Sequence, residues 1–187
     1  LPYDEASLAG EIGLDSFYGG EAGFNPLVRV WARPTLDCNG IVGGYTGNGV
    51  KTVIPAKASV KISTRLVAGQ CPDKTESLVR NFVMSRVPAG IRCEFNTVSK
   101  APAVCLPTNT PLFLRAATAI EEVFGKPPVL IGAGGTISIT AIFARHITDN
   151  IFFMNLGLPD DNIHSPNEHF RMDLFDRGAE MVCRFLD

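Results

Sequence analysis

A histidine set among carboxylates and amides offers donors for a metal ion, and one stretch of this 187-residue chain has that make-up. Residues 157–170 read Gly-Leu-Pro-Asp-Asp-Asn-Ile-His-Ser-Pro-Asn-Glu-His-Phe, placing His164 between Asp160 and Asp161 on one side and Asn167 and Glu168 on the other. A neutral imidazole is the commonest metal ligand. An oxygen that accepts its second N–H fixes which nitrogen faces the metal, a task open to any of those four neighbours. A solvated loop explains the same residues equally well, because one histidine among carboxylates has no diagnostic ligand spacing.

The elements around this stretch argue for a site. The preceding run, Asn-Ile-Phe-Phe-Met-Asn-Leu at 150–156, is short, apolar and aromatic and predicts a buried strand, and a helical pattern starts near Met172. His164 is thus expected on a loop at the carboxyl end of a strand, where open α/β sheets bind ligands. Further upstream the second half of the chain predicts helices at 111–124, after a Thr108/Asn109 cap, and at 137–146, with a short strand at 129–131. That αβαβα order implies helices packed on a parallel or mixed sheet.

The first half has a different grammar. A short helix around Ala6, Leu8, Ala9 and Ile12 is stopped by Gly13, and Gly19, Gly20 and Gly23 make a loop. Residues 35–42 predict a strand followed by a glycine-rich turn at 43–49. In the next run Ala56, Ala58, Val60 and Ile62 alternate with Lys57, Ser59, Lys61 and Ser63, which predicts a strand with one buried and one wet face. Pro72 and Asp73 open a helix closed by Pro88 and Gly90, and 91–98 alternate as a further strand. These elements form the last two-thirds of a ferredoxin-like unit lacking its first strand and helix, with a domain boundary near Thr108.

Composition narrows the function classes. A formal charge of −2, with no run of basic residues, gives no electrostatic footprint for nucleic acid or a membrane surface. Five scattered cysteines without a Cys-x-x-Cys pair suit reduced thiols in a cytoplasmic protein better than a disulfide or zinc framework. No apolar run approaches the ~18 residues of a membrane span.

Several stretches together carry a resemblance: Trp-Ala-Arg-Pro-Thr-Leu-Asp-Cys-Asn-Gly-Ile-Val-Gly-Gly-Tyr-Thr-Gly from Trp31, Lys-Thr-Val-Ile-Pro-Ala-Lys-Ala from Lys51, Ile-Ser-Thr-Arg-Leu-Val-Ala-Gly-Gln from Ile62, and the His164 loop itself. In this order they resemble the di-zinc aminoacylase/carnosinase-type metallopeptidases, most of all their cytosolic dipeptidase branch. The resemblance implies an α/β catalytic domain interrupted by a lid domain that also forms a homodimer contact. Residues 1–108 would be most of the lid, and 109–187 the C-terminal portion of the catalytic domain. It further implies two zinc ions, of which this chain supplies one ligand, His164. One ion lowers the pKa of a shared water while the other polarises the scissile carbonyl of a small peptide. The family's other ligands and its general base lie upstream of the motifs present, so no catalytic residue is expected here.

By the same resemblance Arg65 grips the substrate's C-terminal carboxylate, a task suited to the planar fork of guanidinium; a solvated strand residue is the ordinary alternative. Thr52, Gly135 and Thr136 match positions beside the substrate, while Asn167 and Glu168 support His164. Relatives usually carry Arg-Glu where this chain has Gly132-Ala133, and Pro at Ser138, which leaves the substrate open. His146 ends a helix, where a cation suits the macrodipole, and His169 is expected to be exposed. Two other readings compete: a non-catalytic dimerisation and substrate-clamping module, and a phosphate cradle at 132–136, for which Ile137 stands where a dinucleotide fingerprint wants glycine. With the first lid strand missing and one metal ligand in hand, the chain alone is expected to be inactive and imperfectly folded.

Overall fold

The computed structural model describes residues 4–133 and 137–187, with helices and a two-stranded antiparallel sheet. They fall into two compact units, Leu1–Ala103 with Ile131–Ser138, and Val104–Leu130 with Ile139–Asp187.

In the first unit, α1 (Glu5–Glu11) begins where the Asp4 carboxylate accepts from the N–H groups of Ala6 and Ser7, and the chain turns away at Gly13 with φ 75°. A second helix, α2 (Pro26–Ala32), was not anticipated from the apolar pattern because it is only two turns long. Its signal is the cap: Asn25 accepts from Val28 N at 2.9 Å and Pro26 pre-sets the first helical φ. β1 (Thr35–Gly43) then pairs antiparallel with β2 (Ala58–Arg65), from Thr35 opposite Arg65 to Gly43 opposite Ala58, with Asn39 as a bulge between Cys38 and Gly40. In the connecting loop Tyr45 donates to Asn48 O at 3.1 Å and lies over Gly47, where a Cβ would come within 2.5 Å of the phenolic oxygen.

Alternation located β2 correctly but not its burial. Val60 and Ile62 are exposed, because a two-stranded ribbon shields a face only when another layer packs on it, and the described residues supply none. The strand expected over 91–98 has no ladder partner among the described residues. Side chains of α3 (Pro72–Met84) hold that segment instead: Arg80 donates to Phe95 O at 3.0 Å and stacks over the Phe95 ring, while Lys100 reaches Asp73 at 2.5 Å and Glu76 at 2.8 Å. The alternating pattern fixed which way side chains would face, but a strand also needs a neighbour's N–H and C=O groups.

In the second unit α4 (Pro111–Phe124) starts at Thr110 rather than at 108 or 109, since the Thr110 hydroxyl accepts from Phe113 N at 3.2 Å. α5 (Ser138–His146) and α6 (Met172–Leu186) follow. Ala116 and Ala119 of α4 and Met181 of α6 are buried, and Phe152 meets Phe113 and Phe185 edge-on at 6.4 and 5.3 Å. Gly178 lets a methyl of Leu156 press against α6 where any Cβ would overlap it. Arg184 joins the two helices through Glu180 and Glu122. Segments 129–131 and 151–156 run without a strand partner among the described residues, for the reason given for 91–98. No described helix is long and apolar enough to cross a membrane.

Candidate functional site

The loop that carries His164 is a chain of turns. Asp161 N donates to Leu158 O at 3.2 Å, Ser165 N to Asn162 O at 2.9 Å, and Glu168 N to Ser165 O at 3.2 Å. Pro159 and Pro166 occupy the second position of the first and third turns, where their fixed φ is favourable. Asn162, His164 and Asn167 all have left-handed backbones, with φ of 53°, 64° and 63°. Asn and His tolerate this region better than most residues, and such conformations gather at binding sites because the surrounding structure must hold them.

Asp161 does the holding. It is 2% exposed, its Oδ2 accepts from Leu158 N at 2.7 Å, and its backbone oxygen accepts from His169 N at 3.0 Å, so both limbs of the loop close on one residue. His164 lies exposed near the tip and makes no hydrogen bond to the described residues. Two of the three carboxylates expected to orient its ring are used elsewhere: Asp160 accepts from Arg171 at 2.5 Å, and Asp161 serves Leu158. Asn167 presents its backbone oxygen to Nδ1 of His169 at 3.1 Å. His169 is half exposed as expected, yet its Nε2 lies 4.0 Å from Asp161 Oδ1, a relation with no signature in the sequence.

His164 suits a metal in kind, since an exposed imidazole with no competing partner keeps a lone pair to give. It is a single donor, and no group of three or more His, Cys, Asp or Glu among the described residues could hold an ion. Among the described residues the second unit therefore offers one candidate donor rather than a centre.

In the first unit Arg65 ends β2 and lines a cavity of about 220 Å³ with Pro34, Thr35, Gln70, Thr75 and Val79. Thr52 belongs to the loop beyond the other end of the ribbon, so the hairpin does not itself bring the two together. Gly135 and Thr136 lie outside the described residues. Gly132, three positions before Gly135, packs on α2: a Cβ there would approach Trp31 Cβ at 2.5 Å and Trp31 O at 3.0 Å, so this position excludes a side chain. On α3, Arg80, then Lys100 and Thr97, hold the Glu76 carboxyl down at about 2.

Comparison with known proteins gives a consistent picture. Residues 9–187 match the profile of Peptidase family M20/M25/M40. Cys-Gly metallodipeptidase dug1 of Schizosaccharomyces pombe is 30% identical over 163 residues, covering 86% of this chain and 34% of the relative. Beta-Ala-His dipeptidase of Rattus norvegicus is 32% identical over 166 residues, covering 85% and 33%. The solved structure of the dipeptidase Dug1p from Saccharomyces cerevisiae superposes with a TM-score of 0.80 at 26% identity, covering 100% of this chain and 39% of that one. The chain thus spans about a third of the length of the curated relatives it matches.

Proposed function

The chain belongs to peptidase family M20/M25/M40, and we propose that it is part of a zinc-dependent dipeptidase or related amide hydrolase that cuts the peptide bond next to a free C-terminal carboxylate. The observation that carries this reading is the turn-built loop holding an exposed His164, with no hydrogen bond to the described residues, in a chain matched to the family almost throughout. The relatives named as dipeptidases support the substrate class.

Each residue has a task under this reading. The His164 imidazole gives a lone pair to one of two zinc ions, and Asn167 and Glu168 keep the turn beneath it in shape. The zinc pair supplies Lewis acidity when bound. Arg65 holds the substrate carboxylate with its fork of N–H donors, and Thr52, Gly135 and Thr136 line the substrate path. Residues 1–108 form most of a ferredoxin-like lid through which two copies pair, and 109–187 complete a catalytic α/β domain in a cytoplasmic enzyme. The apolar surface favours further chain packing on both parts: Val50, Ile54 and Val98 are 101, 96 and 99% exposed, and residues 129–131 are more than half exposed. Strand-like segments without ladder partners among the described residues would gain them there.

The test is to prepare residues 1–187 alone and the full-length protein side by side, measuring zinc by elemental analysis and hydrolysis of a free dipeptide. The full-length protein is expected to hold zinc and turn over, and the shorter chain to do neither. A full-length protein that pairs through its lid but holds no zinc would favour the clamping-module reading.

A further inference from the structure

Asp161 Oδ1 is buried and has no hydrogen-bond partner among the described residues. An unpaired buried carboxylate oxygen is costly, and it persists only where the neighbourhood compensates or uses it. Facing it at 4.0 Å is Nε2 of His169, whose other ring nitrogen lies 3.1 Å from Asn167 O. A ring nitrogen directed at a carbonyl oxygen must carry the hydrogen, so Nδ1 donates to Asn167. His169 thus ties its Nδ1 to the loop backbone, while its side chain stays half exposed, with Nε2 4.0 Å from Asp161 Oδ1. The His164 ring is exposed and makes no hydrogen bond to the described residues.

We propose that Asp161 and His169 are positioning residues: a buried carboxylate and an imidazole that clamp the two limbs of loop 158–169 and thereby set where His164 presents its ring. The clamp has three direct ties, from Leu158 N to Oδ2 at 2.7 Å, from His169 N to Asp161 O at 3.0 Å, and from His169 Nδ1 to Asn167 O. The last of these fixes the carbonyl of a left-handed residue, Asn167, three positions beyond His164. The consequence for zinc rests on the reading of His164 as a ligand, whereas the consequence for loop order does not.

The experiment uses the full-length protein with Asp161→Ala, Asp161→Asn, His169→Ala and His169→Gln, and His164→Ala as reference. Two readouts are taken: zinc affinity by competition with a chromogenic chelator, and hydrogen exchange at the amides of Leu158 and His169 in metal-free protein. Asp161→Ala is expected to weaken zinc about tenfold without lowering its stoichiometry, the scale of losing a group that orients a ligand, and to speed both amides about tenfold. Asp161→Asn keeps an oxygen for Leu158 N and should largely restore both. His169→Ala, at an exposed position that the fold tolerates, should weaken zinc by about threefold, with rescue by His169→Gln, whose amide N–H can reach Asn167 O. Wild-type exchange and wild-type zinc affinity in both alanine variants would overturn the clamp. If Asp161→Ala unfolds the protein, the His169 pair decides on the same criteria. If His164→Ala keeps its zinc, the ligand reading fails on its own and the metal-free exchange data still decide the clamp.

Discussion

Arg65 and His164 are held in place by opposite devices. Arg65 ends a strand whose backbone is locked by a regular ladder, opposite Thr35, and it inherits its direction from that register. His164 stands on three linked turns, with left-handed backbone at Asn162, His164 and Asn167, closed at a single buried residue, Asp161, whose carboxylate accepts from Leu158 N and whose backbone oxygen accepts from His169 N. A ladder spreads the task over many equivalent hydrogen bonds, so no one side chain is decisive. A turn-built loop concentrates it, so one residue can move the whole tip. Binding a carboxylate tolerates the first arrangement, because the arginine side chain is long and adjustable. A metal ligand must be held to tenths of an ångström, so under the proposed reading the turns around His164 have to be fixed by the loop's own contacts.

The comparison can be broken at either end. The largest effect after His164 itself is expected at Arg65: Arg65→Lys should lower kcat/KM about tenfold or more for dipeptides with a free C-terminus, because a point charge loses one arm of a bidentate pair. C-terminally amidated substrates should hardly notice. Equal losses on both substrates would show that Arg65 maintains the ribbon and its cavity instead.

Next is Gly132, which packs on α2. Gly132→Ala should cost about 1–3 kcal/mol, because the new methyl meets backbone atoms of Trp31 that no rotamer change can move away. A fall in melting temperature should come with a shift in emission, since Trp31 is the only tryptophan in the sequence. An unchanged melting curve and spectrum would mean that the α2 contact yields freely.

The smallest effect is at α3. Glu76 is held down to about 2 chiefly by Arg80, with Lys100 next, so its folded-state value lies below its ordinary one. A depressed carboxylate stabilises the fold above its unfolded pKa of 4.5, and that contribution is lost as the pH falls from about 4.5 to about 2. Glu76→Gln should therefore lower the melting temperature slightly at pH 7, with the two curves converging near pH 2. A gap that stays constant across that range would assign the difference to packing. Because these groups are partly exposed, added salt should shrink the effect.

How much of this was legible follows from the same contrast. β1, β2, α3, α4, α5 and α6 announce themselves by period and cap, and the structure has them within a few residues of the expected bounds. The short α2 had only its Asn25-Pro26 start to declare it. Alternation at Val60 and Ile62 described a face correctly but not what covers it, and the segments at 91–98, 129–131 and 151–156 had the composition of strands without a described neighbour to pair with. In the His164 loop the histidine and its polar company were plain. The division of labour was hidden, because Asp160 and Asp161 are the same residue type in sequence and differ only in what reaches them: Arg171 for one, Leu158 N and His169 for the other. Sequence spacing carries no information about which of two adjacent carboxylates turns inward.

The central claim is that His164 is a zinc ligand in the intact enzyme, and elemental analysis of the purified full-length His164→Ala protein beside the wild type tests it most directly. The account predicts a clear loss of zinc per chain, with most dipeptide hydrolysis gone and the thermal unfolding of the metal-free proteins unchanged. Full zinc content with unchanged turnover in the variant would contradict it.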